Sequence, residues 1–349
     1  MTEKIPTETV GPKGFALGSF ELAGAQFPGV VFGNAVVDLR SVLPGVGQIG
    51  DLFGSWEAHL DALQAIDPAA VPAHPLQELR VLPPVQPVGT FIAAGANYRE
   101  HVLEISVAHR LGAEGANESE LRAEAAAETD ERRRVGDPYV WTGIPSAACG
   151  ANDDLQLPDV GENVDWELEL GVVIGKAAHR VGVAEAMDYV AGYTIVNDIT
   201  ARTLVPRSDI AMMGTDWFRA KNQPTFFPTG PYLVPARFVD DPAKLRIQLS
   251  LNGTLMQDAY TDDLLFGIPS LIAYASSVAQ LQPGDILLTG SPPGNGSHWG
   301  RFLQGGDVME ATISGLGAQR TLVQAPSGKL PSWYADRRPE VAAADGPKQ

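Results

Sequence analysis

A clear alternation of apolar and polar positions opens the stretch from Asp165 to Arg202. Trp166, Leu168 and Leu170 interleave with Glu167 and Glu169, and a period of two predicts a strand whose two carboxylates leave one face. Val172-Val173-Ile174 continues that strand into a buried sheet. Gly192 to Val196 predicts a second strand, which delivers Asn197 and Asp198 at its end. Between the two, Val183, Met187 and Val190 recur at helical spacing and predict a short helix over 183–190.

The same patterning divides the rest of the chain. Short β-like runs at 15–17, 30–32 and 35–39 and a helix over 56–66 predict a small β-rich N-terminal domain. Pro68, Pro72, Pro75, Pro83 and Pro84 mark a linker that ends that unit near residue 85. A catalytic domain is expected over 86–328. It starts with a buried strand at 90–94 and contains an inserted polar, alanine-rich segment at 106–135, helical over 123–134 and a candidate lid. Asn252-Gly253 between two alternating runs is a hairpin signal, a helix is expected over 268–277, and a strand over 286–289 precedes a glycine-rich turn. Those glycines allow backbone N–H groups to approach an anion, without matching a dinucleotide or P-loop fingerprint. A last hairpin joins 308–313 to 321–323, and a polar tail over 329–349 is expected to be poorly ordered. Hairpins with a few isolated helices make the class α+β.

Composition narrows the function classes. A net charge of −17 argues against nucleic acid or an anionic membrane surface as partner, since both select basic patches. The single cysteine, Cys149, has no internal partner for a disulfide, and the opening MTEKIPTETVG has no apolar leader core. With no run near the ~20 apolar residues of a membrane span, a cytoplasmic protein is expected.

Candidate chemistry sits on two stretches. Glu167, Glu169 and Asp198 converging from two strands repel one another unless a cation lies between them, and oxygen-only ligands suit Mg²⁺, Mn²⁺ or Ca²⁺. The alternative is a solvated strand face. His101 and Glu104, three apart, share one side of a helical turn and form either an exposed pair or a carboxylate-oriented base.

Taken together the motifs resemble the fumarylacetoacetate hydrolase family over about residues 91–323. They are Asn97-Tyr98-x-x-His101-x-x-Glu104, Pro145-Ser146-Ala147, Asp165-x-Glu167-x-Glu169, Val173-Ile174-Gly175-Lys176 and Gly192-Tyr193-x-x-x-Asn197-Asp198-x-Thr200-Ala201-Arg202. Lys221, Pro228-x-Gly230-Pro231, Asn252-Gly253-x-x-x-Gln257, Pro283-Gly284-Asp285 and Leu288-Thr289-Gly290-Ser291-Pro292 follow in order. The resemblance implies layered, rolled mixed β-sheets, a homodimer, and a divalent metal, Mg²⁺ first, on Glu167, Glu169 and Asp198. It also implies water activation by His101 with Glu104, and Lys221 on substrate oxygens. Asn97, Tyr98, Thr289, Gly290 and Ser291 become candidate substrate contacts. Arg202 is a candidate for a substrate carboxylate or for a structural Asp. Three departures bear on the substrate pocket: Gly143 where the family places Lys, Ser291 where it places Thr, and the longer segment after Glu104.

The implied activity is metal-dependent hydrolysis of a C–C bond in an acylpyruvate-like small carboxylated substrate, through an enolate. A 2-oxo acid decarboxylase or 2-hydroxydienoate isomerase uses the same enolate. A reading from another class is an inactive, metal-stabilised binding or structural protein.

Overall fold

The computed structural model describes residues 14–113 and 115–337. The opening stretch read for a leader, 1–13, and most of the polar tail, 338–349, lie outside the described residues. No described helix is long and apolar enough to cross a membrane.

The chain begins as a meander of β1 (Ala16–Leu22), β2 (Ala25–Phe32) and β3 (Ala35–Asp38), followed by α1 (Leu39–Val42) and α2 (Trp56–Gln64). The α2 helix buries Trp56, Leu60 and Leu63, the i, i+4, i+7 face that the pattern predicts. The proline-rich stretch expected to be a linker instead returns to the sheet. β4 (His74–Pro75) pairs with β3 and β5 (Arg80–Val81) with β1, giving the order β4-β3-β2-β1-β5. Prolines fit there because two-residue edge strands leave few ladder hydrogen bonds to lose. The sheet shares its core with the rest of the molecule: Phe20 clusters with Leu168, and Leu17 with Phe91 and Val173.

After β6 (Phe91–Gly95) come α3 (Arg99–Ala108), whose last three residues enter the inserted segment, and α4 (Glu118–Val135), which lies within it. The α4 helix is capped reciprocally. Asn117 accepts from the Glu120 N–H, the Glu120 carboxylate accepts from the Asn117 N–H, and Arg132, Arg133 and Arg134 end the helix where cations suit its dipole. Its buried stripe is narrow (Leu121, Ala125 and Thr129). Arg99 pairs with Asp130 at 2.8 Å, Arg122 pairs with Glu100, and Arg132 donates to the Ala96 carbonyl at 2.7 Å.

The chain continues through β7 (Tyr139–Gly143), β8 (Ala148–Gly150), β9 (Leu155–Gln156), β10 (Val164–Asp165), β11 (Leu168–Ile174), β12 (Val190–Asn197) and β13 (Thr200–Ala201). The helix expected over 183–190 is reduced to a 3-10 turn at Ala186–Tyr189. Val183 and Met187 point outward, so the apparent stripe has no face to bury. Then follow α5 (Trp217–Lys221), β14 (Phe227–Thr229), β15 (Val234–Pro235), and the hairpin β16 (Arg246–Leu251)–β17 (Thr254–Tyr260). Positive φ at both Asn252 and Gly253 makes its turn the primed kind that matches strand twist. α6 (Ile268–Val278), β18 (Ile286–Leu288), α7 (Gly296–Trp299), the hairpin β19 (Val308–Ile313)–β20 (Gly317–Gln324) and α8 (Ser332–Arg337) complete the chain.

The central eight-stranded sheet runs β7-β6-β18-β11-β12-β14-β8, with β15 also on β12, and a second sheet runs β17-β16-β19-β20-β9. β11 is buried on both faces. Leu168, Leu170, Val172 and Ile174 enter one core cluster and Val173 the other. By the strand's period Glu169 shares the side of Val173, and Asp198 follows Val196, which also joins that second cluster. The fold thus brings two carboxylates to the same end of the same face.

Candidate active site

Glu169 lies opposite Val196 in the β11–β12 ladder, and Leu168 opposite Asn197. Glu167 sits just before β11, in a break where regular strand was expected. Its backbone still follows the ladder: the Asp198 N–H donates to the Glu167 carbonyl at 2.8 Å, and the Glu167 N–H donates to Asn197 Oδ1 at 2.9 Å. Glu167, Glu169 and Asp198 are all buried, and each offers a carboxylate oxygen within 4.8 Å of the others.

Two cations face this cluster. Lys221 Nζ lies 2.7 Å from Glu167 Oε2 and 2.5 Å from Asp198 Oδ2. Arg202 lies 2.6 Å from Glu167 Oε1 and 2.8 Å from Asp165 Oδ2. Four carboxylates (Asp165, Glu167, Glu169, Asp198) against two cations leave two negative charges when all are ionised, the charge one divalent cation neutralises. The protein alone relieves the excess unevenly. Burial opposes ionisation of Glu167, yet Lys221 and Arg202 hold its carboxyl down to about 2. Burial, with Glu167 adjacent, pushes Asp198 up to about 7, and burial beside Asp198 and Glu167 raises Glu169 well above its ordinary range. Asp198 Oδ1 is buried without a hydrogen-bond partner. An all-oxygen donor set with surplus charge and an orphaned oxygen fits a hard divalent cation.

The glycine-rich turn after β18 finds its anions within the protein. Gly290 N–H donates to Glu169 Oε2 at 2.7 Å, Gly294 N–H to Glu104 Oε2 at 2.8 Å, and Gly296 N–H to Asp165 Oδ1 at 2.5 Å. Gly290 has φ +102°, and a Cβ there would meet the Asn97 Cβ at 2.9 Å, so both conformation and space require glycine. Its N–H supports the acidic cluster.

Three further candidates find partners within the protein. Arg202 donates from Nε to Asp165 Oδ2 and from Nη2 to Glu167 Oε1. Asn97 donates to the Phe266 and Thr289 carbonyls and accepts from the Phe266 N–H, stapling two loops. The Ser291 hydroxyl lies 3.2 Å from both Gln257 Nε2 and the Pro292 carbonyl. The Tyr98 and Thr289 hydroxyls lie buried against each other. At Gly143 a Cβ would meet the Phe227 ring at 2.6 Å; the position expected to carry Lys is filled by an aromatic neighbour.

His101 and Glu104 share α3 but do not pair with each other. His101 is buried and its Nδ1 has no hydrogen-bond partner. Burial, with Arg202 and Lys221 near, lowers its pKa to about 4 against the pull of Glu167, so it is a neutral imidazole at neutral pH. Glu104 instead takes the Gly294 N–H and lies 3.3 Å from His298 Nδ1. Asp165, His298 and the indoles of Trp141 and Trp217 are site residues to which sequence reasoning gave no role. For Asp165 the signal was present, since it continues the Glu167/Glu169 alternation by one step.

Comparison with known proteins identifies relatives of the chain. The family description "Fumarylacetoacetate (FAA) hydrolase C-terminal" matches residues 90–324. A 2,4-didehydro-3-deoxy-L-rhamnonate hydrolase from Sphingomonas sp. (strain SKA58) is 35% identical over 84% of this chain and 94% of its own length. A fumarylacetoacetate hydrolase from Exiguobacterium antarcticum superposes with a TM-score of 0.71 at 25% identity, covering 89% of this chain and 99% of its own. Maleylpyruvate hydrolase from Sphingobium sp. SYK-6, solved with manganese(II) and pyruvate, gives 0.69 at 28% identity, covering 89% and 100%.

Proposed function

Because the chain belongs to the fumarylacetoacetate hydrolase family, we propose that it is a divalent-metal-dependent hydrolase cleaving a C–C bond in a 2,4-dioxo acid, an acylpyruvate-like compound. Glu167, Glu169 and Asp198 hold the cation, with Mg²⁺ the expected ion and Mn²⁺ an accepted one. The observation that carries this is the pairing of a buried carboxylate cluster two charges in excess with a neutral His101 beside it whose Nδ1 has no hydrogen-bond partner. The hydrolase activity named for the Sphingomonas relative and the manganese and pyruvate named for the Sphingobium structure support it.

When bound, the cation supplies Lewis acidity that stabilises negative charge on the oxygens of a 2-oxo acid. The protein does the rest. His101 Nδ1 takes a proton from the attacking water, which adds to the distal carbonyl. Lys221 sets a fixed positive charge beside the oxyanion that forms. Tyr98 and Thr289, whose hydroxyls are buried against each other, are the proposed contacts to substrate oxygens. The C–C bond then breaks, the carboxylic acid leaves with the added hydroxyl, and the carbon left as an enolate takes a proton to become pyruvate.

The test is a product assay with a panel of acylpyruvates and oxaloacetate in Mg²⁺. Pyruvate and a carboxylic acid in equal amounts are expected. Carbon dioxide with pyruvate, or an isomerised substrate of unchanged mass, would replace hydrolysis with one of the other enolate chemistries.

A further inference from the structure

The ammonium of Lys221 lies beside two stacked indoles. Its Nζ is 5.0 Å from the Trp141 ring centroid and 5.5 Å from that of Trp217, and the two rings are 6.2 Å apart and inclined by only 24°. Each indole is anchored apart from the lysine. Trp141 sits in β7 opposite Ala93 and stacks on Phe227 at 6.2 Å, and Phe227 stacks on Phe91 at 4.4 Å. Trp217 opens α5, four residues before Lys221, where i and i+4 side chains lie side by side. The Trp217 indole N–H is buried without an acceptor, so this residue contributes a ring face here and not a hydrogen bond.

Resting on the assignment of Glu167, Glu169 and Asp198 as metal ligands, we propose that Trp141 and Trp217 are positioning residues for Lys221. They seat its ammonium so that a cation can take Glu167 and Asp198 while the lysine stays charged beside them. Lys221 contacts those same two carboxylates, so lysine and cation compete for them. An ammonium that is 3% exposed cannot turn to water when its carboxylates are drawn away. The faces of two indoles are a surface that still favours it. Without them, the lysine's best position is back on Glu167 and Asp198, against the incoming metal.

The experiment is calorimetric titration of the full-length protein with Mn²⁺. It compares the wild type with W141L, W217L, W141F and W217F, and repeats both leucine changes on a K221M background. Each leucine change is expected to weaken Mn²⁺ binding about fivefold, the factor that ~1 kcal/mol of cation–π attraction represents. The phenylalanine variants, which keep a π face, recover most of the loss. On the K221M background the leucine changes leave affinity within about twofold, because the competitor is gone. W217L keeps the test decisive should W141L fail to fold, since Trp217 is only partly buried. Equal losses with and without Lys221, no loss, or phenylalanine as damaging as leucine would overturn the proposal. A wild type that binds no Mn²⁺ overturns the metal assignment and the proposal with it, an outcome visible before any variant is made.

Discussion

The carboxylate of Glu104 faces His298 and not His101: Oε1 lies 3.3 Å from His298 Nδ1, and Oε2 accepts the Gly294 N–H at 2.8 Å. His101, one turn earlier on α3, turns inward with a free Nδ1. The carboxylate is therefore held in place from the far side, and the base waits unengaged. His101→Ala is expected to lower kcat by ~10²–10⁴, the usual contribution of a general base. Glu104→Gln keeps the Gly294 bond but loses the charge, so its cost is smaller. With no contact between the two, the double variant is expected to lose about the product of the two single losses. Steady-state kinetics of the three decide it; wild-type kcat in His101→Ala removes that residue from proton transfer.

Glu169 holds one oxygen on the Gly290 N–H, and burial beside Asp198 and Glu167 raises its pKa well above the ordinary range. Glu169→Gln keeps the shape and removes one of three ligand charges. Loss of at least about tenfold in Mn²⁺ affinity and loss of turnover are expected, the scale seen when metal-site partners are removed. Calorimetry reads the first and the product assay the second. Full activity of the wild type in excess EDTA would contradict both.

Asp198 has a folded pKa raised from 3.8 to about 7, and Glu169 is raised as well. A raised carboxylate contributes stability that is full below the unfolded pKa and is lost as pH climbs through the folded one. Without a cation, this contribution disappears between about pH 4 and 7. A divalent cation competes with those protons, so its stabilisation grows over the same interval. Thermal unfolding should show a larger Mg²⁺- or Mn²⁺-induced rise in Tm at pH 8 than at pH 5. An equal or larger rise at pH 5 would mean the cation binds elsewhere.

The α4 helix rests on three buried side chains and on ion pairs that are largely exposed, and exposed pairs contribute only ~0–1 kcal/mol each. Its amides are expected to exchange faster than those of β11 and β12. If the segment covers the site during turnover, exchange over 118–135 slows when Mg²⁺ and a nonhydrolysable substrate analogue are bound together. Exchange that ignores the ligand, with normal kcat and KM after the segment is shortened, would make α4 a surface helix without a part in turnover.

The features legible in the sequence are those written into short-range periodicity. The alternation at Glu167 and Glu169, the strand ending at Asp198, the turn at Asn252-Gly253 and the helical turn at His101 depend on neighbours within a few residues. What escaped depends on partners far along the chain. Arg202 finds Asp165 across 37 residues, Asn97 finds Phe266 across 169, and Gly290 finds Glu169 across 121. Each looked available for substrate because its partner was out of view. The i, i+3 spacing of His101 and Glu104 permitted a pair that long-range contacts with Gly294 and His298 displaced. The prolines after residue 67 read as a linker because two-residue edge strands have too few residues to carry a pattern.

Hydrolysis adds water across a C–C bond, and solvent oxygen reports on it directly. Turnover of an acylpyruvate in H₂¹⁸O with Mg²⁺, followed by mass spectrometry of the products, should place one ¹⁸O in the carboxylate of the released acid, with pyruvate formed in equal amount and neither product formed in EDTA. An acid that carries no solvent oxygen, or carbon dioxide in its place, would contradict hydrolysis by this site.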